Sequence, residues 1–220
     1  MRVISVAAPC NGSGKTSLMI SIAKTFPEVF SAAKFTTIYR EEQFCPVGDH
    51  DCACRRLSGE YLICTDPKVL TQPNTDTGKI CCAGVRQMYW CIAKPEGYPE
   101  MVREFSEHYL DGNPPLLAEG NTVIPFLKPR LRLFMVNPCL PFSWWKGNTR
   151  GLLETSDFII INSYPGASSN SVEEPQEAII SALSAFEQKQ ILMENPERLD
   201  RWKDQRLFQV ISALADTQVN

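Results

Sequence analysis

The sequence predicts an α/β protein: a mostly parallel sheet covered by helices on both faces, a three-layer α/β/α sandwich. Three observations carry this. Apolar strand-like runs alternate with helical patterns along most of the 220 residues, the order expected of parallel strands joined by crossover helices. The first run, Val3-Ile4-Ser5-Val6-Ala7-Ala8, enters the glycine-bearing stretch Pro9-Cys10-Asn11-Gly12-Ser13-Gly14-Lys15-Thr16 and then a helical pattern with Leu18, Met19, Ile22 and Ala23 on one face. A late run, Phe158-Ile159-Ile160-Ile161, is apolar without alternation, as in strands buried on both sides.

Taken in order, residues 2–8 read as a strand and 15–26 as a helix ended near Pro27. Lys34 to Tyr39 reads as the second strand. From Arg40 to Gly78 periodicity is lost and Cys, Pro, Gly, Asp and Thr accumulate around a short apolar segment at Tyr61-Leu62-Ile63. Such a stretch is expected to be an insertion. Gly78 to Val85 opens a helix, Met88 to Ala93 is a strand, and Pro99 to Tyr109 is a helix with proline in its first turn. Pro115 to Gly120 is an apolar strand ending in the carboxylate Glu119, and Leu131 to Val136 is another strand. Thr149 to Glu154 is helical and Asp157 to Asn162 a buried-type strand. Glu173 to Met193 and Glu197 to Ala215 read as two helices of a C-terminal extension, residues 170–220. The whole chain, 1–220, is expected to form one domain.

Strand, glycine loop, Lys-Thr and helix together describe a phosphate-binding loop of the G-x-x-x-x-G-K-[ST] kind, with Pro9 in place of the first glycine. Backbone N–H groups at such a helix start converge on phosphate. The expected nucleotide contacts are Asn11, Gly12, Ser13, Gly14, Lys15, Thr16 and Ser17. Lys15 would reach the β and γ phosphates and Thr16 would ligate Mg²⁺. A second carboxylate belongs at the end of a neighbouring buried strand. Glu119 meets that description, with Asp66 and Asp76 as further candidates. Lys15 and Glu119 are the expected catalytic residues, and Thr16, Glu119 and Asp76 the expected Mg²⁺ ligands.

The net charge of −3 leaves no basic footprint for nucleic acid. No apolar run approaches the ~20 residues of a membrane span, and the N-terminus reads as a strand, so a cytoplasmic protein is expected. In a reducing compartment the nine cysteines are not a disulfide framework. Cys45, Cys52, Cys54 and Cys64, with His50 among them, hold enough soft ligands for zinc or an iron–sulfur cluster. The alternative is a loop with incidental thiols. Cys81, Cys82 and Cys91 fit core positions, and Cys10 lies inside the glycine loop, a candidate site of redox inactivation. Arg40, Arg55, Arg56, Lys34, Lys128, Arg130 and Arg132 are expected as solvated charges. Trp144 and Trp145 are expected to pack under a loop, with stacking on a base or pterin as the alternative.

The order of motifs carries a resemblance. The N-G-S-G-K-T loop is followed by Lys34-Phe35-Thr36, Thr75-Asp76-Thr77-Gly78, Ala83-Gly84-Val85 and a strand ending Ala118-Glu119-Gly120-Asn121. Over roughly residues 2–165 the chain resembles the molybdopterin-guanine dinucleotide biosynthesis protein B (MobB) family. That family sits within the P-loop proteins that include dethiobiotin synthetase and nickel-insertion GTPases. The resemblance implies a P-loop NTPase fold, GTP ahead of ATP, and an accessory role in molybdenum cofactor maturation. Lys15, Thr16, Asp76 and Glu119 carry over by position. The chain departs from the family at Pro9, the cysteine-rich insertion and the C-terminal extension. Asn162 is a further expected nucleotide contact: it ends a late strand where GTPases place the Asn of N-K-x-D, and it could bind either purine or simply cap the strand end, but Pro165 stands at the Asp position. Guanine selectivity is therefore left open.

The leading expectation is Mg²⁺-dependent binding and hydrolysis of GTP or ATP. The alternatives are a nucleotide-switched metal or cofactor carrier using the cysteine-rich insertion, and a small-molecule kinase, which the lack of an arginine-rich lid disfavours. The expected partners are a nucleoside triphosphate and, as candidates, a cofactor-biosynthesis enzyme and a second copy of the chain; nucleic acid and membrane are not expected.

Overall fold

The computed structural model describes residues 2–39, 57–109, 115–162 and 177–216. Cys45, His50, Cys52, Cys54, Arg40, Arg55, Arg56 and Pro165 lie outside them. Among the described residues the strands are β1 (Val3–Ala7), β2 (Ser31–Thr37), β3 (Tyr61–Cys64), β4 (Met88–Ala93), β5 (Leu116–Glu119), β6 (Leu131–Val136), β7 (Phe158–Ile161) and β8 (Gln190–Leu192). They form one sheet in the order β3-β4-β2-β5-β1-β6-β7-β8. All neighbours are parallel except the edge pair β3 and β4. The centre is apolar because it is covered twice: every residue of β1 is buried.

Helices flank both faces, as in a three-layer sandwich. On one face lie α1 (Lys15–Thr25), α2 (Pro67–Leu70), α3 (Asp76–Cys82) and α8 (Arg206–Asp216). Their residues Leu18, Ile22, Ile80, Leu207 and Ile211 join Ile4, Val6 and Leu133 in one cluster. The other face is covered by α4 (Tyr98–Tyr109), α6 (Thr149–Thr155) and α7 (Glu177–Ser184). There α4 supplies Met101 and Phe105 to one cluster, and α6 and α7 supply Leu153, Ile179 and Leu183 to another. The single turn α5 (Ile124–Leu127) bridges the two, placing Leu127 in the first and Ile124 in the second.

Four expectations are corrected. The second strand begins at Ser31, not Lys34, because the small residues Ala32 and Ala33 are buried between β4 and β5. The described part of the expected insertion is folded into the body: β3 pairs with β4, and α2 and α3 follow. Asp66 caps α2 by accepting from Lys68 N (2.9 Å), and Thr75 caps α3 by accepting from Gly78 N (3.0 Å). The helix read over Glu173–Met193 is only Glu177–Ser184 in its described part, and the chain then adds β8 beside β7. The helix read over Glu197–Ala215 is broken: one turn at Leu199–Arg201 precedes Trp202, and α8 starts at Arg206. The C-terminal segment is part of the main core. Trp202 is fully buried and donates through Nε1 to Asn195 O (2.6 Å), while Leu199 N donates to Thr25 Oγ1 on α1 (2.8 Å).

Candidate functional site

The site is built at the C-terminal ends of β1, β2 and β5, where open α/β sheets leave a crevice. β1 runs into the glycine loop, and α1 leaves it. Two glycines there adopt positive φ, Gly12 at 79° and Gly14 at 103°, conformations that side-chain-bearing residues rarely take. Gly14 also has no room for a side chain, since a Cβ would lie 2.5 Å from Asn162 Nδ2 and 2.9 Å from Met135 Cε. The loop closes on itself through Ser13, fully buried, whose Oγ donates to Cys10 O (3.0 Å). Asn11 and Gly12 stay exposed at the tip.

Three elements from distant sequence hold the loop. Asn121, just past β5, clamps Ala8, its Nδ2 donating to Ala8 O (2.7 Å) and its Oδ1 accepting from Ala8 N (3.1 Å). Lys146 N donates to Pro9 O (3.0 Å). Asn162 Nδ2 donates to Ser13 O (3.2 Å). The structure thus places the buried amide of Asn162 behind the loop backbone.

The charged groups converge in front. Thr16, in the first turn of α1, directs Oγ1 to Glu119 Oε2 (3.4 Å). Glu119 is buried, at 6% exposure. Lys15 Nζ lies 3.5 Å from Cys10 O. Burial lowers the Lys15 pKa from its ordinary value; Glu119 opposes this, while Lys146 and Lys34 add to the lowering. Lys34 stands in register with Glu119 across β2 and β5 and donates to the Asp76 carboxylate at the start of α3. Burial works to raise the Asp76 pKa, but the hydrogen bond and charge of Lys34, then Lys79 and Lys15, outweigh it and leave it lowered. Three ammonium groups and two carboxylates therefore surround the free N–H groups that begin α1 (Lys15, Thr16 and Ser17). A helix start with no acidic residue in its first turn is suited to an anion.

Lys34, Asn121 and Lys146 are the site residues that sequence reasoning missed. Lys34 is not the solvated charge expected; it is half-buried and ion-paired. Its signal was a lone lysine in an otherwise buried strand. Asn121 stands out in the sequence only as the end of a strand motif and Lys146 gives no signal, since their contacts join segments over a hundred residues apart.

Of the expected soft-metal set, Cys45, Cys52 and Cys54 lie outside the described residues. Cys64 ends β3 inside the hydrophobic cluster of the α1 face. Among the described residues no group of three or more His, Cys, Asp or Glu side chains could hold a metal ion. Cys91 is buried as expected, but Cys81 is only half-buried, packing against the cluster of the α1 face, and Cys82 is exposed. Trp145 is half-buried and packs on Phe142 at 4.9 Å, while Trp144 is exposed.

Fold and site define a class: an α/β protein with a mostly parallel sheet and a charged crevice at a glycine loop. No helix among the described residues is long and apolar enough to cross a membrane. The sequence matches no protein-family model and no curated protein.

Proposed function

We propose that the protein binds a nucleoside triphosphate with Mg²⁺ at the glycine loop and hydrolyses it. The observation that carries this reading is the contact between Thr16 Oγ1 and Glu119 Oε2 at the start of α1, beside a half-buried Lys15. Two hard oxygen donors side by side fit Mg²⁺, which takes few protein ligands and keeps its waters. When bound, the ion would neutralise phosphate charge. Loop N–H groups and Lys15 would stabilise the negative charge spread over the phosphoryl oxygens as the bond to the β-phosphate breaks. Glu119 would orient the attacking water, and Lys34, held by Asp76, would add a second cation. The resemblance to the MobB family extends the proposal to an accessory role in molybdenum cofactor maturation.

The test is thermal denaturation with ATP or GTP, with and without Mg²⁺. A ligand at about a hundred times its dissociation constant stabilises by about 2.7 kcal/mol. One nucleotide with Mg²⁺ is expected to raise the midpoint, and Lys15→Ala to abolish the rise. Equal behaviour of wild type and Lys15→Ala would sink the proposal.

A further inference from the structure

A second concavity lies on the sheet face opposite α1, between α5 and α6. It is a groove of about 580 Å³ lined by ten residues, none of them acidic, and falls in the size range of small-molecule sites. It opens because α5 is a single turn, ended by Lys128 in a left-handed conformation at φ 46°. A lysine held there is strained, and it stands in the groove wall. Lys128 has no acidic partner among the described residues. Arg132, on β6, is the second cation. One guanidinium N–H donates to Thr155 O (3.4 Å), and Asp157, which accepts from the backbone N–H of Arg132 through Oδ2 (2.7 Å), forms no ion pair with the guanidinium among the described residues. Most of the guanidinium fork is therefore free for a ligand.

The remaining lining sorts by chemistry. Ile124, Pro125 and Leu152 give apolar contact, and Asn148 carries an amide that makes no cap bond to α6. At one end stands Tyr39, 65% exposed, its hydroxyl against Thr122 Oγ1 (3.3 Å). An aromatic ring kept in water by a hydroxyl tether is a ready stacking surface.

We infer that this groove binds a small organic anion, a phosphate or carboxylate carried on a planar ring, with Arg132 and Lys128 taking the anion and Tyr39 the ring. The site stands independently of what the glycine loop binds. Asn121 lines the groove and also clamps Ala8, so an occupant would lie against the residue that steadies the loop.

Phenyl phosphate titrated calorimetrically into the full chain tests this, with Lys15→Ala used to silence the loop. Saturable one-to-one binding is expected in wild type and in Lys15→Ala. Losing one charge-assisted contact is expected to weaken it about tenfold in Lys128→Gln, and further when Arg132→Gln is added. Phenol, which lacks the charge, is expected to show no saturable binding. Lys128 is exposed and only its backbone N–H bonds within the fold, to Ile124 O, so its side-chain variant keeps the test valid if the Arg132 variant fails to fold. Absence of saturable binding, loss of binding in Lys15→Ala, or an unchanged affinity in Lys128→Gln would each overturn the inference.

Discussion

Gly14→Ala measures how tightly the glycine loop is braced from behind. The residue sits at φ 103°, and its Cβ would meet Asn162 Nδ2 at 2.5 Å and Met135 Cε at 2.9 Å. Holding a non-glycine residue at such a φ costs about 1–3 kcal/mol. Forcing a methyl group into filled space costs about 1–3 kcal/mol more. The middle of the summed range, about 4 kcal/mol, corresponds to a fall in melting temperature of about 8–16 °C for a chain of this size. Chemical denaturation followed by far-UV circular dichroism reads the loss. The double variant Gly14→Ala/Asn162→Ala separates the parts: removing the amide opens the space but leaves the φ strain. A coupling of at least about 1 kcal/mol is expected, because the two residues touch. Strict additivity, or a Gly14→Ala loss below about 0.5 kcal/mol, would refute the view that Asn162 packs against the loop as a brace.

Two other changes have defined outcomes. The Asp76 pKa is lowered in the folded state, so its pairing stabilises fully above the ordinary aspartate value of 3.8 and is lost as pH falls through the folded value. Asp76→Asn should therefore flatten the acid limb of the stability curve below about pH 4. Because the Asp76 side chain is 44% exposed, the effect should stay below about 1 kcal/mol; an unchanged pH profile in urea titrations would contradict the pairing. Trp202→Ala should cost about 3–5 kcal/mol in denaturant unfolding and lower the single transition of the whole chain. A separate early transition, with the rest unaffected, would mean that the C-terminal segment folds apart from the sheet.

What the sequence disclosed depended on the range of the forces involved. β1 and the loop were legible because an apolar run, two glycines and a helical period lie within about twenty residues. β5 and its terminal Glu119 were legible for the same reason. The start of β2 was not: Ser31-Ala32-Ala33 has little intrinsic preference for strand, and only burial between two neighbours makes it one. β8 is three residues long, too short for any period, and exists because β7 offers it an edge. The break between Leu199–Arg201 and α8 was hidden because Trp202, Leu207 and Ile211 face one core from two separate pieces. At the site, Lys15, Thr16 and Glu119 could be found from local pattern. The places of Lys34, Asn121 and Asn162 could not, because strand order decides which residues become neighbours.

That strand order also sets a clock. Within the sheet β1 pairs with β5 and β6, and β2 lies one strand away on the far side of β5. During synthesis the first strand, loop and helix can form early, yet the slot beside them stays open until β5 emerges. The Thr16–Glu119 contact spans 103 residues. At ribosomal rates of about 5–20 residues per second, that is a wait of roughly 5–20 s. The crevice is therefore finished late, after most of one flank of the sheet has been made, and an N-terminal fragment ending before β5 would carry the loop without its carboxylate.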